Sequence, residues 1–256
     1  MAGRSSKKLS FKHCLQILIM KTKMILLVAL FTVSISSASA HALWLETAST
    51  GAKGQAQEVK AFFGEYTTSD ISATKKWFSN LKDFNLVLTA PDGTKTTLKT
   101  TADSLFYKAS FTPNQDGTYL LSVVHVVKDL YQNAKLQYYA FASVTIGTNK
   151  NLNNAFPAEA SLTIRPSKLV LHTNESASHQ LVFNKAPLAK ERITIISPDQ
   201  KKLEVETDKD GRFNFNPIQK GGYFLEAFAE DKTPGKFDGK NYEKVWHVVT
   251  YFTEIK

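Results

Sequence analysis

The hydrophobic pattern divides the chain into two unlike parts. From Met24 to Val33 the residues are almost uniformly apolar, Met24-Ile25-Leu26-Leu27-Val28-Ala29-Leu30-Phe31-Thr32-Val33. Lys21 and Lys23 precede this run, and small residues follow it to Ala38-Ser39-Ala40. A basic start, a short apolar core and an A-x-A ending predict a secretory signal peptide over residues 1–40, cleaved after Ala40. The run is too short for a membrane-spanning helix, which needs roughly twenty residues. Met20-Lys21-Thr22-Lys23 already makes a leader start, so true initiation is expected at Met20 or Met24.

Beyond Ala40 the apolar positions come in short β-branched and aromatic runs. Turn dipeptides separate them: Asp92-Gly93, Asp116-Gly117, Asp210-Gly211 and Gly221-Gly222. Arg212-Phe213-Asn214-Phe215 alternates as a half-buried strand should. The pattern predicts an all-β protein, with Leu130 to Tyr139 as the one candidate short helix.

A repeat organises this β region. Phe111-Thr112-Pro113-Asn114-Gln115-Asp116-Gly117-Thr118-Tyr119-Leu120-Leu121 returns as Phe215-Asn216-Pro217-Ile218-Gln219-Lys220-Gly221-Gly222-Tyr223-Phe224-Leu225, with six of eleven positions identical. Leu86 to Gly93 matches Ile193 to Gln200 in the same order. Two matches in sequence imply two related units. The expected fold is two tandem Ig-like or transthyretin-like antiparallel β-sandwich domains, 41–147 and 158–256, joined by an Asn-rich linker over 148–157. The first unit carries an insertion, Glu65 to Asn80, in which Trp77 and Phe78 form either a hydrophobic plug or an exposed platform.

Charge and cysteine content alter this picture little. Six of the Lys and Arg residues, and no acid, lie in residues 1–40, so the net charge of +9 falls to +3 for 41–256. The basicity is largely the leader's and gives no nucleic-acid footprint. The single cysteine, Cys14, precedes the apolar run, so the mature chain has neither disulfide nor thiolate.

Cleavage after Ala40 would make His41 the first residue. Its α-amine and imidazole Nδ1 can then close a chelate ring on a divalent metal. Imidazole suits Ni, Co, Cu or Zn, and binding competes with protons on the amine and ring. His125, ending an apolar strand, and His247, within Val245-Trp246-His247-Val248-Val249, are the internal candidates to complete a site. For each, the competing reading is a buried structural histidine. His172 and His179 flank a turn-like Thr173-Asn174-Glu175-Ser176 and read as solvated. No nucleophile elbow, phosphate loop or His-Glu-x-x-His helix is present, so the chain is expected not to be an enzyme. Copper held by an N-terminal histidine also serves polysaccharide monooxygenases, but the rest of the chain is unlike theirs.

The start His41-Ala42-Leu43-Trp44-Leu45-Glu46, the Pro91-Asp92-Gly93 turn, Gly117-Thr118-Tyr119, and the closing Asn241 to Trp246 followed by Val248-Val249-Thr250-Tyr251-Phe252 together resemble a known group. It is the periplasmic family described as NikM-type nickel/cobalt transport components, otherwise a domain of unknown function. The second unit also resembles transthyretin-like (carboxypeptidase-regulatory-like) modules through Thr207 to Phe213. The resemblance implies a periplasmic metal-binding accessory of a nickel/cobalt uptake system. Its metal would be held by His41, with His125 and His247, and passed to a membrane or outer-membrane transporter. Copper-resistance carriers are a variant of the same idea. The alternative is a non-catalytic secreted interaction module for a protein or glycan. No membrane span is expected in the mature chain.

Overall fold

The computed structural model describes residues 41–148 and 156–256. The predicted leader over 1–40, Cys14, and most of the predicted linker lie outside the described residues. Fourteen principal strands build the β structure, seven in each half. The first half contains β1 (Ala42–Glu46), β2 (Gln57–Glu65), β3 (Leu86–Thr89), β4 (Lys95–Leu98), β5 (Tyr107–Phe111), β6 (Gly117–Val126) and β7 (Ala134–Ile146). The second contains β8 (Leu162–Arg165), β9 (Ala177–Phe183), β10 (Arg192–Ile196), β11 (Lys202–Glu206), β12 (Arg212–Phe215), β13 (Gly221–Asp231) and β14 (Lys244–Ile255). The all-β expectation holds, and the helices among the described residues are short 3-10 turns.

The halves repeat one plan. In the first, β1-β2-β5 forms one sheet and β4-β3-β6-β7 another; in the second, β8-β9-β12 and β11-β10-β13-β14 follow the same order. The repeated residues have repeated jobs. Tyr119 Oη accepts the N–H groups of Asn114 (3.2 Å) and Gln115 (3.1 Å), and Tyr223 Oη accepts those of Ile218 and Gln219 (both 3.1 Å). Both tyrosines are buried, so each closes a corner whose amides would otherwise lack partners. Gly117 and Gly221 have φ of 131° and 120°, and a Cβ on either would meet Pro91 or Pro198. Glycine is needed in both places for backbone conformation and for close approach.

The halves are not two separate sandwiches. Strands β7 and β14 pair in parallel from Ala134↔Lys244 to Ala142↔Phe252. The two four-stranded sheets thereby merge into one continuous sheet, with Thr50–Gly51 added alongside β7. Alternation along β7 sends Leu136, Tyr138, Ala140 and Ala142 to one core and Tyr139 and Phe141 to the other. The β1-β2-β5 sheet covers the first face and the β8-β9-β12 sheet covers the second. Each core borrows from the other half: Ile196, Phe224 and Val248 join the first, and Leu120, Tyr139 and Phe141 join the second.

The predicted helix over Leu130 to Tyr139 is absent. Gln132 and Asn133 have φ of 50° and 59°, which suits a tight reversal between Tyr131 and Ala134. The strand β7 begins there because Leu136, Tyr138 and Tyr139 supply apolar groups to both faces.

The second core also contains two histidines. His247 lies flat against the Tyr139 ring (5.9 Å, 6°), with Nδ1 bonded to Tyr139 Oη at 2.9 Å. His179 is 1% exposed and sits between Phe213 and Phe215; it is not the solvated residue the sequence suggested. Burial pulls both imidazoles down to about 4.

Two outcomes are expected. Phe224 is fully buried and stacks on Tyr66 at 4.2 Å. Phe224→Ala should cost about 3–5 kcal/mol in urea denaturation, while unfolding remains a single transition; separate transitions for the halves would contradict the shared sheet. For pH, the unfolded chain protonates His179 and His247 near 6.5, whereas the folded chain resists to about 4. Their contribution is full above 6.5 and is lost as the pH falls towards 4. His247→Gln should therefore make the stability profile shallower between pH 6.5 and about pH 5.

Candidate functional site

Strand β1 carries His41 to one end of the first core. Ala42, Leu43, Trp44 and Leu45 are all buried, so both faces of this strand are covered. Leu43 is tied to the shared sheet by Thr250, whose Oγ1 donates to Leu43 O at 2.8 Å. Trp44 stacks on Phe62 (5.3 Å, 10°) and meets Phe224 edge-on. Leu43 and Trp44 both face protein. His41, just outside the strand, is exposed, and its ring lies 5.5 Å from that of Phe63.

The other two candidate ligands lie elsewhere. His125 belongs to the first core, on the same face of β6 as Tyr119, Leu121 and Val123. The Val127 N–H donates to Leu136 O (3.0 Å), a register that sets His125 opposite Tyr138. Tyr138 meets Phe63 edge-on at 5.8 Å, and Phe63 meets the His41 ring at 5.5 Å. His125 is 7% exposed, its Nε2 has no hydrogen-bond partner, and burial holds its imidazole below the usual value against the opposing charge of Asp83. His247 points into the second core, on the other face of the shared sheet. The structure therefore brings His41 and His125 to one core and separates both from His247. Among the described residues, no group of three or more His, Cys, Asp or Glu side chains is placed to hold a metal. The three-histidine set does not fit a metal ion; what remains is the two-donor chelate that a free N-terminal His41 would offer.

Two buried or half-buried acidic residues were not singled out by sequence. Glu65, at the end of β2, is 6% exposed, and its Oε1 accepts from the Thr67 hydroxyl and, at 3.3 Å, from the Thr67 N–H. Glu226 on β13 lies between Thr194 and Thr250 in the shared sheet. Burial, reinforced by the charge of Glu65, pushes the Glu226 carboxyl up to about 8. The charge of Glu65, in the first half, thus acts on Glu226 in the second. Their residue type gave no signal in the sequence, since only the pairing of β1 with β2 and of β13 with β14 places them.

The insertion Glu65 to Asn80 divides its aromatics. Trp77 is a plug, 6% exposed, packed against Phe63, Phe84 and Tyr107, with Nε1 donating to Ser72 O at 3.2 Å. Phe78 is 38% exposed and meets Tyr131 at 6.4 Å. Tyr131 continues to Trp246 (6.2 Å), and Trp246 to Phe228 (6.0 Å). This row of rings crosses from the first half to the second.

Among the described residues, no helix is long and apolar enough to cross a membrane. Residues 38–231 match the family described as a domain of unknown function (DUF4198). No functionally curated protein matches the chain. Solved structures similar to it include Escherichia coli alpha-2-macroglobulin activated by porcine elastase, 7% identical with a TM-score of 0.29 over 85% of this chain and 20% of that one. A mutant Salmonella alpha-2-macroglobulin is 10% identical, with a TM-score of 0.26 over 85% of this chain and 15% of that one. A two-domain fibronectin type III segment of chicken tenascin is 11% identical, with a TM-score of 0.21 over 80% of this chain and 95% of that one. The chain thus spans a fifth or less of the length of these alpha-2-macroglobulins. With three quarters of its length inside the family match, the chain belongs to the DUF4198 family of domains of unknown function.

Proposed function

We propose that the processed chain is a non-catalytic periplasmic protein that binds a divalent transition metal through an N-terminal His41. It would serve as an accessory to nickel or cobalt uptake and pass the ion to a membrane or outer-membrane transporter. The observation that carries the reading is the placement of His41. His41 is exposed, its ring lies against Phe63, and it directly precedes a strand whose first four residues are buried. Cleavage after Ala40 would leave the α-amine and Nδ1 together on a rigid element, with little chain entropy left to lose on chelation. The resemblance of the mature start to NikM-type components supports the same class of ion. The transthyretin-like character of Thr207 to Phe213 supports a structural role for the second half: there Asp208 Oδ1 accepts the N–H groups of Asp210 (2.9 Å) and Arg212 (2.8 Å).

The test compares protein beginning at His41 with protein carrying one extra N-terminal alanine, each titrated calorimetrically with Ni²⁺, Co²⁺ and Cu²⁺. The native start should bind at least about tenfold more tightly, and affinity should fall as the pH drops below the amine range of about 7.7–8.0. Equal, weak binding by both proteins would remove the reading.

The exposed rings favour a second reading, an interaction module for a glycan. Phe78, Tyr131, Trp246 and Phe228 present apolar faces, and Lys244 and Glu230 flank Trp246. A combined Phe78→Ala, Tyr131→Ala variant should leave stability within about 0.5 kcal/mol per site. On this reading it loses retention on immobilised polysaccharide; unchanged retention counts against the platform.

A further inference from the structure

We propose that Glu65 is the carboxylate ligand that completes the His41 metal chelate. The inference rests on the reading of His41 as a processed N-terminus and adds the residue that reading lacks.

The register supplies the placement. Strands β1 and β2 are antiparallel, with Leu43 opposite Phe63 and Ala42 opposite Gly64. One further step sets His41 opposite Glu65. Directly opposed residues share a face, with Cβ atoms about 4.5–5.5 Å apart. The His41 ring confirms the face, since it touches Phe63, two residues before Glu65 on the same side of β2. That side looks towards the shared sheet, where Phe63 meets Tyr138 and where the charge of Glu65 is felt by Glu226.

Glu65 also arrives positioned. It is 6% exposed, and Thr67 holds its Oε1 through hydroxyl and amide. A buried carboxylate held in this way adds little ordering cost when an ion arrives. Together His41 and Glu65 offer an amine nitrogen, an imidazole nitrogen and a carboxylate oxygen, a donor set suited to borderline divalent ions. Binding displaces water from the hydrated ion and sends the α-ammonium proton to solvent. The carboxylate then offsets one of the two metal charges. Two side chains take part. The third donor exists only after cleavage.

The experiment uses protein beginning at His41, with Cu²⁺ and Ni²⁺ salts as probes. Glu65→Gln keeps the side-chain volume and removes the charge, and it should weaken binding at least about tenfold. If Glu65→Gln binds as wild type while the alanine extension weakens binding, Glu65 is not a ligand and the N-terminal reading stands. If the extension has no effect, both fall. Should Glu65→Gln fail to fold, the native protein with ¹³C-labelled glutamate decides. Saturating Cu²⁺ should broaden the Glu65 carboxyl resonance, and a sharp resonance at saturation would overturn the assignment.

Discussion

The parallel pairing of β7 with β14 is the constraint on which the rest of the structure depends. Parallel neighbours cannot be joined by a hairpin, and here the connection between them is the rest of the second half. Two buried polar contacts hold the register, Tyr139 Oη to His247 Nδ1 at 2.9 Å and Ser143 Oγ to Tyr251 Oη at 2.7 Å. A slip of one residue would break both and turn every side chain of β14 to the wrong face. The pairing also explains the layering. Equivalent strands lying parallel and adjacent are related by a rotation about an axis along the strands. That rotation turns the sheet over, so the two covering sheets fall on opposite sides.

Much of each half was legible in the sequence, and the join between them was not. The repeated Phe-x-Pro-x-Gln-x-Gly-x-Tyr pattern encodes local requirements: a tyrosine that closes a corner, and a glycine that lets a proline approach. Such requirements recur at fixed spacing and survive in a comparison of one chain with itself. The β7–β14 pairing joins residues 110 positions apart and has no turn dipeptide to announce it. Its trace was the unbroken apolar run around His247, which marks a strand buried on both faces. Read as part of an isolated sandwich, that run overstated the independence of the halves. The helix expected over Leu130 to Tyr139 failed for a related reason. Its apolar residues alternate to feed two cores, and over so short a span that pattern resembles one helical face.

The site was legible only at its first residue. A junction such as Ala40-His41 is written in local sequence, whereas the company His41 keeps depends on pairing. Parity alone does not settle β1, because Leu43 and Trp44 are both buried and Trp44 packs against Phe62 and Phe224. Parity along β6 puts His125 with Tyr119, Leu121 and Val123. It could not show that His247 uses the other face, since that comparison needs the shared sheet. Glu65 gave no signal of its own, because its position at the end of β2 is a matter of strand register and not of residue type.

The placement of His41 also makes it answerable to the whole fold. Strand β1 is an edge strand, and one edge pairing alone holds a five-residue segment weakly. Its second anchor is β14, through the Thr250 hydroxyl on Leu43 O, a contact spanning 207 residues. Closing so long a loop is entropically costly and yields nothing until the distant partner is in place. The end of the core where the His41 ring meets Phe63 is thus tied both to β2 and to β14. Glu226, the residue of the second half that senses Glu65, reaches this end by the same strand pairing. A site at this point is built from local chemistry at residue 41, yet its geometry is set by the last strand described.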